Sequence, residues 1–222
     1  MAYDLEEQEQ IDTLKAWWKQ YGNAVTWLLI AGLASFAGWT AWTNNQRSQA
    51  AQASAIYDEV QRAAALKEIA KVQGATANLI EKFSGTSYAS MAALSAAKSA
   101  FDAGDLAGAK KHLQWVVDQG FSKEFQAIAK IRLGSVLLDE KKYEEALKVL
   151  AGDFSAEFES EALERRGDVL VAQNKLKEAR EAYKVALDKM GEKHAGRQLV
   201  QIKLDALGGA LDAKSTEHAD KK

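Results

Sequence analysis

The sequence predicts an all-α protein: a single N-terminal transmembrane helix, then a solenoid of helical hairpins closed by a C-terminal capping helix. Three observations predict it. Residues 25–42, VTWLLIAGLASFAGWTAW, contain no charged side chain. Between Gly74 and Gly191 apolar residues recur at steps of three and four, with no strand-like alternation. The stretch around Gly134 repeats itself around Gly167, 33 residues later.

Residues 1–24 form an acidic leader, with Asp4, Glu6, Glu7, Glu9 and Asp12 against Lys15 and Lys19. Ile11, Leu14 and Trp18 fall at helical steps, so the leader reads as an interfacial helix or as a cytosolic tail that a partner recognises.

At the α-helical rise the 18 residues of 25–42 reach about 27 Å, close to the thickness of a bilayer's hydrocarbon core. Trp27 marks one end of the span and Trp39 and Trp42 the other, as aromatic side chains do at a membrane interface. A buried core helix of this length would show one polar side, and this one shows none. A cleaved secretory signal would have a basic start and a shorter apolar run, so the span is expected to stay as a signal anchor. Lys15 and Lys19 precede the span and Arg47 follows it. That bias places the N-terminus in the cytoplasm and the C-terminal bulk, translocated, on the other side of a single-pass span.

Residues 43–53 read as a polar, alanine-rich linker expected to continue as helix into the next segment. The domain proper, 54–211, opens with a helix over 54–72, carrying Ile56, Val60, Ala63 and Ala64 on one face and ended at Gly74. Repeats follow. Gly134 and Gly167, Leu137 and Leu170, Tyr143 and Leu176, and Ala146 and Ala179 are each 33 residues apart. Ala97, Leu106, Ala109 and Leu113 make an earlier copy, and Ala75 with Leu79 a weaker first one. A helix, a short turn and a second helix with a period near 34 is the tetratricopeptide pattern. Gly134 and Gly167 should face close helix crossings, accepting Ala but not Leu. Residues 198–211 cap the stack, with Val200, Leu204, Leu207 and Leu211 on one face. The polar remainder, 212–222, is expected to be disordered.

Composition excludes several classes of function. The 222 residues carry a net charge of −2 with both signs interspersed, so no nucleic-acid surface is expected. Cysteine is absent, which removes disulfides and thiolate metal sites. His112, His194 and His218 have no metal-ligand spacing and read as solvated surface residues. No phosphate loop or nucleophile elbow occurs. The chain is therefore expected to be no enzyme and to hold no cofactor.

The acidic run Glu6-Glu7-Gln8-Glu9-Gln10, the approach Leu14-Lys15-Ala16-Trp17-Trp18 and the exit Gly38-Trp39-Thr40-Ala41-Trp42-Thr43-Asn44 join these repeats to one anchor. With Ile131-Arg132-Leu133, Glu145-Ala146-Leu147-Lys148-Val149-Leu150, Arg166-Gly167-Asp168 and Ile202-Lys203-Leu204, nearly the whole chain resembles the YfgM-type proteins. These are ancillary subunits of the bacterial Sec translocon, with one membrane anchor and a periplasmic tetratricopeptide domain. The resemblance implies association with the SecYEG translocon and with a PpiD-type periplasmic chaperone. It also implies contact with unfolded or newly translocated proteins, and a link between the leader and a stress-response regulator. A scaffold for another envelope assembly, such as outer-membrane protein insertion, is the competing reading, because fold alone does not separate such roles. A stress regulator acting through the leader is another.

In a tetratricopeptide hairpin, positions two, five and twelve of the first helix face the concave side. They hold Met91, Leu94 and Phe101 in one copy, Ile128, Ile131 and Leu138 in the next, and Glu161, Glu164 and Val171 in the last. A partner-binding groove is expected there, apolar in its first half and more acidic at its end. The alternative is that the 54–72 helix fills the first half as ordinary core.

Overall fold

The computed structural model describes the backbone of residues 2–219 and the side chains of residue 7 and residues 9–208. Among these residues there are nine helices and no strand. The chain divides into two units, Met1–Ala51 and Gln52–Lys222.

Helix α1 runs without interruption over Ala2–Ala65. Residues 43–53 are helical, joining the span to the 54–72 segment. The physical reason is local: from Trp39 to Leu66 there is neither glycine nor proline, and alanine and glutamine propagate the helix. Within the first unit, every large apolar side chain from Trp27 to Trp42 is exposed. The only hydroxyls of the 25–42 span all turn back on the helix. Thr26, Ser35 and Thr40 donate to the carbonyls of Gly22, Ala31 and Phe36 at 2.7–2.8 Å. Each hydroxyl of the span is thus satisfied within the helix, as a hydrocarbon environment demands.

The second unit starts inside α1. Ala53, Val60 and Ala63 are buried there. The helix ends at a turn where Lys67 takes φ 57°, eight residues before Ala75 and ahead of the expected stop at Gly74. Gly74 lies instead within α2 (Ile69–Phe83), facing open space. The same turn recurs at Gly104 (φ 81°), Lys141 (φ 58°) and Asn174 (φ 59°). At each one the following amide closes back by 2.8–2.9 Å onto a carbonyl five residues earlier: Glu68 to Ala63, Asp105 to Ala100, Lys142 to Leu137, Lys175 to Leu170. This is the left-handed helix stop of a Schellman motif, made without proline.

Four equivalent turns define four hairpins: the end of α1 with α2; α3 (Ser87–Asp102) with α4 (Leu106–Gln119); α5 (Lys123–Asp139) with α6 (Tyr143–Leu150); α7 (Ala156–Ala172) with α8 (Leu176–Lys189). The turns are spaced 37, 37 and 33 residues apart. The first copy is thereby re-registered. Val72, not Ala75, is the counterpart of Ala109, Ala146 and Ala179, and all four are buried. The first two turns lie 37 residues apart, so a period of 34 points to Ala75 instead. The 54–72 segment supplies the first hairpin rather than a separate helix free to lie in the groove.

The cores follow the repeats. Around the first hairpin, Ala53, Val60, Ala63, Val72, Leu79 and Ala92 pack together, with Tyr57 and Tyr88 rings 5.9 Å apart beside them. The central core joins α3 to α6 through Leu113, Leu133, Leu137 and Leu150. The last lies between α7, α8 and α9, around Leu170, Tyr183, Leu187 and Val200.

Small and large residues face each other across the last two hairpins. A Cβ added to Gly134 would come within 2.8 Å of Leu150 Cδ2, and one added to Gly167 would overlap the Tyr183 ring. The expectation that both glycines accept alanine is therefore corrected: the partners occupy the volume a methyl group needs.

Helix α9 spans Arg197–Ala219. It passes Leu211, where a disordered tail was expected, since no helix-breaking residue follows Gly209. Residues 220–222 lie outside the described residues.

Candidate partner-binding groove

First helices of adjacent hairpins pack side by side, α3 on α5 and α5 on α7, and they divide the expected strip into two kinds of residue. Leu94 belongs to the central core, at 8 % exposure. Ile128 and Leu138 are half-buried and pack against the same core. Met91 and Ile131 are likewise half-buried. Phe101, at 41 %, and Val171, at 37 %, are exposed. The apolar strip thus has a buried foot and an open edge, and Leu94 is corrected from surface residue to core. Its neighbours Ala93 and Ala97 are too small to shield the space beneath α3, so Leu94 turns in to fill it.

Between α3 and α5 the strip opens into a groove of about 380 Å³. Ala97 and Phe101 of α3, Leu113 of α4 and Val136 of α5 give it an apolar floor. Lys98, Asp102, Arg132 and Ser135 stand around it. Sequence reasoning selected Phe101 by its place in the repeat. It missed Lys98 and Arg132, because a charge on a solvated helix carries no signal until the facing helix is placed.

At the far end, Glu164 is not a free acidic lining. Lys203 of α9 donates to Glu164 at 2.8 Å and to both Asp168 oxygens at 2.7 and 3.0 Å. Arg165 donates to Asp168 at 2.7 Å, and the Tyr183 hydroxyl donates to Asp168 at 2.6 Å. Burial, then the hydrogen bond to Asp168 and the charges of Asp168 and Glu164, push the Tyr183 phenol well above its ordinary pKa. The residues of the Arg166-Gly167-Asp168 and Ile202-Lys203-Leu204 segments, distant in sequence, meet in this cluster and hold the capping helix.

His112 departs from its expected solvated state. It is half-buried, and burial and the adjacent Lys111 pull its pKa below the ordinary histidine value. Among the described residues no group of three His, Cys, Asp or Glu side chains gathers as metal ligands would.

The fold agrees with what comparison finds. A family model described as a tetratricopeptide repeat-like domain matches residues 15–209. An ancillary SecYEG translocon subunit of Neisseria gonorrhoeae is 36 % identical over 93 % of this chain and its own full length. A protein of the same description from Haemophilus influenzae is 32 % identical over 68 % of this chain and 73 % of its own. One from Escherichia coli is 24 % identical over 65 % and 69 %. By its anchor, its repeats and these relatives, the chain belongs to the YfgM-type family of ancillary SecYEG translocon subunits.

Proposed function

We propose that the chain is a non-enzymatic binding module tethered to the inner membrane beside the Sec translocon. The N-terminus lies in the cytoplasm, and the tetratricopeptide domain receives newly translocated chains and a PpiD-type chaperone in the periplasm. The observation that carries this reading is the open apolar groove around Phe101, on a chain whose relatives are named for the translocon. The fully exposed apolar helix of residues 27–42 supports the anchor, since so large an apolar surface is stable only when lipid or protein covers it. Lys15 and Lys19 against Arg47 support the orientation.

Two measurements test it. A photoreactive residue at Met91 or Val171, in intact inner membranes, should crosslink to SecY, to the chaperone and to nascent chains. Crosslinks confined to outer-membrane assembly factors would replace this reading with the scaffold alternative. Protease added to spheroplasts should digest the domain from Gln52 onward. Digestion of the leader with the domain protected would reverse the orientation.

A further inference from the structure

We infer that the groove between α3 and α5 selects partner segments in which a large apolar side chain lies next to a carboxylate. The inference rests on the binding role proposed above and names the chemistry of what is bound.

Two observations carry it. The first is the floor: Ala97, Phe101, Leu113 and Val136 present an apolar surface that Phe101 leaves partly open. A space of about 380 Å³ accepts a large aliphatic or aromatic side chain with adjoining backbone. The second is the charge beside it. Lys98 is already paired with Asp102, one helical turn on, at 2.5 Å. Arg132 stands across the groove on α5, exposed, with no hydrogen bond or ion pair to any described residue. Lys98 and Asp102 cancel, so the groove keeps one net positive charge, carried by a guanidinium.

A guanidinium offers a planar fork of donors that fits a carboxylate in two parallel hydrogen bonds. A purely apolar occupant would strip water from Arg132 without replacing its hydrogen bonds, at a cost that opposes binding. A basic segment would be repelled. An apolar residue flanked by Asp or Glu meets both demands, the side chain on the floor and the carboxylate on Arg132. Charge complementarity of this kind sets partner choice more than raw affinity, which suits a module that must sample many chains and hold few.

The test uses the full-length chain in lipid nanodiscs and three fluorescein-labelled ten-residue peptides. One carries Phe between Asp and Glu residues, one carries Phe between lysines, and one is the acidic peptide with Ser in place of Phe. Fluorescence anisotropy should show the acidic Phe peptide binding about tenfold more tightly than either other, equal to about 1.4 kcal/mol. Arg132→Glu should reverse the order of the two Phe peptides, and Arg132→Lys should keep the order with a smaller ratio. Phe101→Ser should weaken both Phe peptides. Circular dichroism of each variant checks the fold, and Arg132 is exposed enough that its variants remain helical. Equal binding of the acidic and basic Phe peptides, no binding of any, or no response to Arg132→Glu would overturn the inference. So would a doubled particle mass showing that a second copy fills the groove. If crosslinks to nascent chains persist in membranes while the acidic preference is absent, the proposed function stands and this inference alone falls. Loss of those crosslinks with the acidic preference intact would overturn the translocon role and leave the chemistry of the groove.

Discussion

Tyr183 donates its phenolic hydrogen to Asp168 at 2.6 Å while its ring lies against Gly167, the residue before Asp168 in sequence. One side chain of α8 therefore sets both the spacing and the polarity of its partner helix. The ring can lie there only because position 167 has no Cβ, and the hydroxyl reaches Asp168 only because the ring lies there.

Gly167→Ala should consequently destabilise the domain, where a simple small-residue rule would tolerate it. The methyl group meets a ring held in place by a hydrogen bond and cannot be accommodated by rotation alone. A loss of roughly 1–3 kcal/mol is expected, read as a fall in melting temperature of about 2–4 °C per kcal/mol. Gly134→Ala should cost less, since Leu150 is a more adaptable neighbour than a tethered ring. Equal melting of Gly167→Ala and parent would show that the ring moves freely.

Asp168→Asn should loosen α9 before the rest of the domain. The substitution removes the charge that Lys203 and Arg165 share, and Asp168 is 14 % exposed, so water compensates little. About 2 kcal/mol is expected. Amide exchange in residues 197–207 should accelerate while exchange in α3 to α6 stays unchanged. Uniform acceleration across the domain would show instead that the cluster supports global stability.

Leu94→Ser and Phe101→Ser should separate foundation from surface. Leu94 is core, and its loss should cost about 3 kcal/mol, with lowered helicity on heating. Phe101 is open, and its replacement should shift stability by about 0.5 kcal/mol while reducing partner crosslinks. If both variants melt alike, the division of the strip into core and groove is wrong.

His112 should make the domain less stable in acid. Its folded pKa lies below the unfolded value, because burial and then Lys111 disfavour the imidazolium. Between the two values the unfolded chain binds more protons than the folded one. The penalty is therefore absent above the unfolded value near 6.5 and grows as pH falls through it toward the folded value. Melting temperature should drop from pH 7.5 to 5.5, and His112→Gln should flatten part of that drop. An unchanged pH slope in the variant would assign the acid sensitivity to other groups.

Much of this protein is local information. An 18-residue run without charge specifies a span whatever follows it, because lipid rewards composition and length. Helices with three- and four-residue apolar steps, and turns that recur at a fixed period, specify a stack of hairpins, because each repeat buries its face on its neighbour. Both could be read from residue order alone, and so could the membership in a family that combines them. The first hairpin escaped because its turn lies at Lys67, while Gly74, inside α2, offered the more conspicuous stop. The left-handed φ of Lys67 is imposed by the hydrogen bond from Glu68 to Ala63 rather than by glycine.

What only the tertiary structure decided is which side chains face which. Leu94 and Phe101 occupy equivalent-looking concave positions, yet the small residues beside Leu94 draw it into the core while Phe101 stays open. Glu164 read as part of an acidic groove until Lys203, 39 residues away, was seen to engage it. Arg132 was one surface charge among many until α3 placed an apolar floor beside it. Such relations depend on distances between helices that no period encodes, because a repeat fixes how a hairpin is built and leaves to packing what each neighbour contributes.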